Sequence, residues 1–202
     1  MLNRNLDAQQ ITARQSSDTS RSFLVELLEI VVLALVLYVV IQFAVETVRV
    51  IGVSMSPTLG DEDYLIASRL DYRFHHPGRG DIIIMRDPFD STKDFIKRVV
   101  ALPGENLRIR DGQVYINDRL LTEPYLPQNE SWTVAANWPT DPAQSDTIPQ
   151  NEYFVMGDNR NHSTDSRTFG AVRSDQIEAH AWVRIWPLDH LGIVDKSARF
   201  AG

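Results

Sequence analysis

The sequence contains no cysteine, which excludes disulfides, thiolate metal sites and a cysteine nucleophile. Histidine is scarce, and the five present form no His-Glu-x-x-His pattern. His75 and His76 are adjacent, so on a strand they would point to opposite faces. No metal or other cofactor is therefore expected. Positive charge is also short, with 20 Lys and Arg against 27 Asp and Glu, a formal net charge of −7. Such a balance repels phosphate backbones, and no basic stripe interleaved with aromatics offsets it, so nucleic acid is not an expected partner. Repeats and low-complexity tracts are missing as well. The 202 residues leave room for one compact domain with a real core, and not for a second large one.

One long stretch changes solvent. Residues 1–22 are polar and lack apolar periodicity, which predicts a flexible tail. Residues 23–45, from Phe23 to Val45, are almost wholly apolar, interrupted by Glu26, Glu29 and Gln42, and are about long enough to cross a bilayer core of ~30 Å. The uninterrupted part, Ile30 to Ile41, is shorter, which leaves a cleaved secretory signal or a buried soluble helix as alternatives. No small-x-small cleavage site follows cleanly, and the polar face of a soluble helix is missing, so a retained transmembrane helix is the expectation. Arg4, Arg14 and Arg21 precede it, which places the tail in the cytoplasm and residues 46–202 outside.

Beyond the anchor the signals are those of short strands. Tyr64 to Ser68, Asp81 to Met85 and Phe95 to Leu102 are β-rich runs bounded by Gly, Pro or Asp. Leu107 to Arg110 and Gln113 to Ile116 flank Asp111-Gly112, a pair suited to a type I′ turn because both central positions need positive φ. Glu152 to Met156 and Ala181 to Trp186 are expected to close the sheet, while Tyr125 to Gln150, rich in proline and polar residues, reads as an irregular excursion. Arg79-Gly80-Asp81 leads straight into a strand and is read as a turn rather than an adhesion tripeptide.

Three segments carry chemistry. Ser54 lies in Ser54-Met55-Ser56-Pro57-Thr58-Leu59, and a serine hydroxyl attacks at neutral pH only when a neighbour takes its proton. Lys97 can do so if it is neutral, and on a strand it shares its face with Phe95, Val99 and Ala101, surroundings that lower a lysine pKa. The alternative is a lysine snorkelling at a sheet edge. The third segment is Gly157-Asp158-Asn159-Arg160-Asn161-His162-Ser163-Thr164-Asp165-Ser166-Arg167. His162 there invites a Ser-His pairing but reads as a loop histidine near water. Gly52-Val53-Ser54-Met55-Ser56 lacks the second glycine of a hydrolase nucleophile elbow.

In this order the three segments resemble the bacterial type I signal peptidases, membrane-anchored Ser-Lys proteases. The resemblance implies a mainly β, antiparallel catalytic domain on one N-terminal transmembrane helix, set in the plasma (inner) membrane with its catalytic side outside the cytoplasm. It implies Ser54 as nucleophile, Lys97 as general base and Ser163 as the hydroxyl that orients the lysine. Asp158 with Arg98, and Asp165 with Arg167, would be ion pairs serving as scaffold at the surface. Val50, Met55, Leu59, Ile84, Phe95 and Ile96 would line shallow apolar pockets for the small residues of an Ala-x-Ala cleavage site. Partners would be preprotein signal peptides, the lipid bilayer and the export machinery. One departure is Gly52, where some members carry a hydroxyl that helps stabilise the oxyanion. A catalytically silent relative that binds signal peptides or scaffolds export is therefore the rival reading. A self-cleaving Ser-Lys repressor is the other, although such proteins carry a DNA-binding module where this chain has an apolar helix. Nine residues at no more than ~3.6 Å each keep Ser54 within roughly 32 Å of the helix end.

Overall fold

The computed structural model describes residues 3–127, 137–141, 143–194 and 199–200, and divides into two units, Met1–Ala44 and Val45–Gly202. The first is a single helix, α1 (Asn3–Ala44). It begins twenty residues earlier than the apolar run, so the stretch expected as a flexible tail is helical from Asn3. The physical reason is that nothing interrupts it: the first glycine of the chain is Gly52 and the first proline Pro57. Val25–Ala44 is long and apolar enough to cross a membrane.

The second unit is built of antiparallel strands. In chain order these are β1 (Val45–Arg49), β2 (Tyr64–Ser68), β3 (Ile82–Arg86), β4 (Asp94–Ala101), β5 (Leu107–Arg110), β6 (Gln113–Ile116), β7 (Arg119–Thr122), β8 (Glu152–Met156), β9 (Val172–Arg173), β10 (Ile177–Trp186), β11 (Gly192–Ile193) and β12 (Arg199–Phe200). The large sheet runs β1-β2-β10-β3-β4-β8-β9 with β11 on β10, and a four-stranded sheet runs β12-β7-β6-β5. The fold is thus mainly antiparallel β with one N-terminal apolar helix. The β5–β6 hairpin turns at Asp111 (φ 49°) and Gly112 (φ 75°), both left-handed as a type I′ turn requires.

Strands β3 and β4 sit mid-sheet, and Ile82 to Met85 is an unbroken apolar run because both faces are covered. One face packs Ile82 with Val50, Met55, Leu59 and Leu65, the other packs Ile83 and Met85 with Val99 and Val155. β10 extends four residues further back than Ala181, since Ile177 and Ala179 continue its pairing with β3. Strand β1 was not expected, because it follows the apolar helix without a turn signal. Of the excursion at 125–150, the described residues are irregular; Trp138 bridges back to Ile109 and Thr147 to Asn106, and Trp138 packs on Phe154 with ring centroids 4.8 Å apart. Residues 128–136 and 142 lie outside the described ones.

Candidate active site

The loop between β1 and β2 carries Ser54. Met55 and Leu59, both buried, anchor it from below, and Leu59 N–H closes a turn on the Met55 carbonyl at 2.9 Å. A second turn, Ser56 N–H to the Val53 carbonyl at 3.1 Å, leaves Ser54 at the outer bend. Gly52 enters this loop with φ +92°, a left-handed backbone that side chains resist, and its N–H donates to Asp61 Oδ1 at 2.8 Å.

β4 brings Lys97 beneath the serine. Lys97 Nζ lies 3.0 Å from Ser54 Oγ and 3.0 Å from the Ile96 carbonyl, although the two residues are 43 positions apart. The lysine is only 3% exposed and its Nζ stands 4.8 Å from the centre of the Phe95 ring, the same-face neighbour that strand periodicity assigns. Burial lowers its pKa from 10.5 to about 8, against the opposing pull of Asp165, Asp87 and Asp158.

The 157–167 loop closes the third side. Gly157 is pressed between the other two parts: a Cβ there would stand 2.3 Å from Ser163 Oγ and 2.5 Å from the Ser54 carbonyl oxygen, so only glycine fits. Ser163 Oγ is buried and has no hydrogen-bond partner among the described residues. The expected bond from Ser163 to Lys97 is therefore not formed; the lysine is held by Ser54 and the Ile96 carbonyl instead.

The ion pairs differ from the surface scaffold expected. Arg98 is fully buried and grips Asp158 with two bonds of 2.8 and 2.7 Å, donates to the Gly80 carbonyl at 2.9 Å, and lies 3.8 Å from the centre of the Tyr125 ring. Asp165, also buried, takes two bonds of 2.8 Å from Arg167 and accepts the Gly157 N–H at 3.1 Å. Breaking either leaves an uncompensated buried charge, which makes them structurally dominant rather than marginal. Sequence reasoning missed a third buried pair, Arg160 with Glu123, whose arginine also donates to the Gly157 carbonyl at 3.0 Å. Nothing in the sequence links two residues 37 positions apart across an irregular excursion. Missed too was Asn159, which holds the backbone on both sides of the Ser54 α-carbon: its N–H donates to the Ser54 carbonyl at 3.0 Å and its Nδ2 to the Val53 carbonyl at 3.1 Å.

A cleft of about 700 Å³ opens onto the Ser54–Lys97 pair. Of the expected pocket residues, Val50, Met55, Phe95 and Ile96 line it, as do His162 and Thr164. Ile84 and Leu59 do not. Ile84 is the cross-strand neighbour of Ile96 and supports it from behind, one strand deeper in the sheet. Leu59 is buried under the serine loop and faces a separate cavity of about 240 Å³ with Tyr125 and Arg184.

The sequence is similar to known proteins along most of its length. The family described as "Signal peptidase, peptidase S26" matches residues 24–186. A probable signal peptidase I-2 of Synechocystis sp. is 32% identical over 194 residues, 93% of this chain and 84% of the relative. Signal peptidase I of Leptolyngbya laminosa is 36% identical over 160 residues, 74% of this chain and 73% of the relative. A crystal structure of a signal peptidase I from Enterococcus faecalis is 36% identical, with a TM-score of 0.45 over 52% of this chain and 97% of that one. With four-fifths of its length matched by the family and a relative aligned along nearly all of it, this chain, a peptidase, belongs to the signal peptidase family, peptidase S26.

Proposed function

We propose that the protein is a membrane-anchored serine endopeptidase that removes N-terminal signal peptides from exported preproteins, with Ser54 as nucleophile and Lys97 as general base. The observation that carries this reading is the 3.0 Å approach of a buried lysine amine to a half-buried serine hydroxyl at the floor of an apolar cleft. Once neutral, Nζ accepts the Ser54 proton while Oγ attacks the scissile carbonyl. The ammonium so formed gives that proton to the departing amine, and the acyl-enzyme remains. The same amine then draws a proton from the water that hydrolyses the ester.

Substrate binding follows from the cleft walls. β8 pairs with β4 only from Arg98 onward, so the β4 edge at Asp94–Lys97 is open to an extended peptide. Val50, Met55, Phe95 and Ile96 beside it favour small apolar residues before the cut, because a bulky side chain would overpack them. The arginines ahead of Val25–Ala44 set the N-terminus in the cytoplasm and residues 46–202 on the outer side of the plasma membrane. The test is incubation of the purified full-length protein with a preprotein in detergent, followed by sequencing of the new N-terminus. Cleavage after an Ala-x-Ala site, lost in Ser54→Ala while the fold is kept, is the expected result; cleavage by folded Ser54→Ala overturns it. Orientation is read by adding protease outside sealed vesicles, which should digest residues 46–202; their protection means the reverse topology.

A further inference from the structure

We propose that Asn159 and His162 form a positioning pair that aims the Ser54 backbone N–H at the oxyanion of the bound substrate. The inference rests on the peptidase reading above and extends it to residues outside the Ser54–Lys97 pair.

The 53–54 peptide is trans, so the Ser54 N–H points opposite to the Val53 carbonyl in the same rigid plane. Whatever holds that carbonyl therefore aims the N–H. Two donors hold it: Ser56 N–H at 3.1 Å and Asn159 Nδ2 at 3.1 Å, which occupy both lone pairs. Asn159 N–H also ties the next carbonyl, that of Ser54, at 3.0 Å. One residue thus fixes the peptide planes on both sides of the nucleophile. Among the described residues the Ser54 N–H itself donates to no protein group, so it is available to a developing negative oxygen.

His162 determines which way the Asn159 amide faces. Its Nδ1 lies 3.1 Å from Asn159 Oδ1, and its N–H closes a turn on the Asn159 carbonyl at 3.0 Å. With Nδ1 carrying the hydrogen, Oδ1 is satisfied as an acceptor and Nδ2 is left to face Val53; the flipped amide would set two carbonyl oxygens against each other. The imidazole is exposed and lines the cleft, so it is held by this contact rather than by packing. The device matters more here because Gly52 brings no hydroxyl to this loop: a Cβ at that position would find no atom within 4 Å. The Ser54 N–H is therefore the donor whose aim must be exact, and its aim is set from the 157–167 loop.

The test uses the full-length protein in detergent with wild type, Ser54→Ala, Asn159→Ala and His162→Phe, the last keeping an aromatic ring without Nδ1. Thermal melting is recorded for each. For Asn159→Ala the expected result is a kcat lower by ~10–100-fold with KM little changed, somewhat less than the loss of a whole oxyanion donor. Affinity for a substrate-like peptide aldehyde, which forms the tetrahedral adduct on Ser54, should fall by the same factor, while binding of an uncleavable peptide should not. His162→Phe should show the same pattern at smaller size. The pH midpoint of activity should stay in place in both variants, because Lys97 is untouched. The proposal is overturned if both variants turn over at the wild-type rate, if the loss appears in KM alone, or if aldehyde affinity is unchanged. Should Asn159→Ala fail to fold, His162→Phe, altered at an exposed side chain, decides by the same readouts. Wild-type protein that cleaves no better than Ser54→Ala would instead sink the peptidase reading.

Discussion

Lys97 can be neutral near working pH only because the fold buries it, and this makes a prediction with two arms. At pH 7 a lysine with a pKa of about 8 is neutral in roughly one molecule in ten, against about one in three thousand at 10.5, a gain of ~300-fold in neutral amine. The rate should accordingly rise about tenfold per pH unit below pH 7 and level off above pH 8, as kcat/KM of the full-length enzyme on a preprotein between pH 5 and 9 would record. The same burial has a stability counterpart of known sign. The folded pKa lies below the unfolded one, so between about 8 and 10.5 the unfolded chain holds a proton that the folded chain lacks, and stability rises with pH through that window. Below it the penalty is fully present, at about 3 kcal/mol. Lys97→Met should therefore resist denaturant better than wild type at pH 7, by up to ~3 kcal/mol less whatever its lost hydrogen bonds contributed, and the advantage should shrink towards pH 10.5. Lys97→Arg should be inactive, since guanidinium stays protonated. A rate limb centred near ~6.5, the ordinary histidine value, together with near-normal turnover by Lys97→Arg, would refute the reasoning.

Three further outcomes follow from the same geometry. Gly157→Ala must displace either Ser163 or the Ser54 backbone, so kcat should fall by ~100-fold, measured by single-turnover cleavage; an unchanged rate would mean the contact relaxes without moving Ser54. Asp158→Ala strands the fully buried Arg98 and should cost ~3–5 kcal/mol in a denaturant titration, whereas a loss under ~1 kcal/mol would show that water reaches the guanidinium. Ile96→Ala should widen the cleft and shift preference towards larger residues at the cut site by ~1–3 kcal/mol, read from kcat/KM across a panel of preprotein variants; a flat profile would remove Ile96 from the specificity wall.

Strand periodicity and turn chemistry are local properties, and they made much of this protein legible in advance. The hairpin around Asp111-Gly112, the apolar run of Ile82 to Met85 and the apolar helix ending near Val45 follow from φ requirements, burial on two faces and length. So did the Lys97–Phe95 contact, which alternation along a single strand dictates. β1 was not legible, because it begins where an apolar helix stops and has no boundary residue of its own. Nor was the helical stretch from Asn3, where polar residues with no glycine or proline among them continue the helix.

What the sequence determined by itself is which residue types are available and how they alternate: a serine on a glycine-led loop, a lysine among apolar neighbours, and a polar loop with no bulk at position 157. Only the tertiary structure decided that positions 54 and 97 stand 3.0 Å apart, that the Arg98 and Asp165 ion pairs are buried, and that Ile84 and Leu59 lie behind the cleft wall. The same holds for Ser163, whose hydroxyl has no hydrogen-bond partner among the described residues, and for Asn159, bonded to the backbone 105 and 106 positions away. The physical reason is that burial and hydrogen-bond distance depend on where separate strands and loops meet, whereas periodicity constrains only the direction a side chain leaves its own strand.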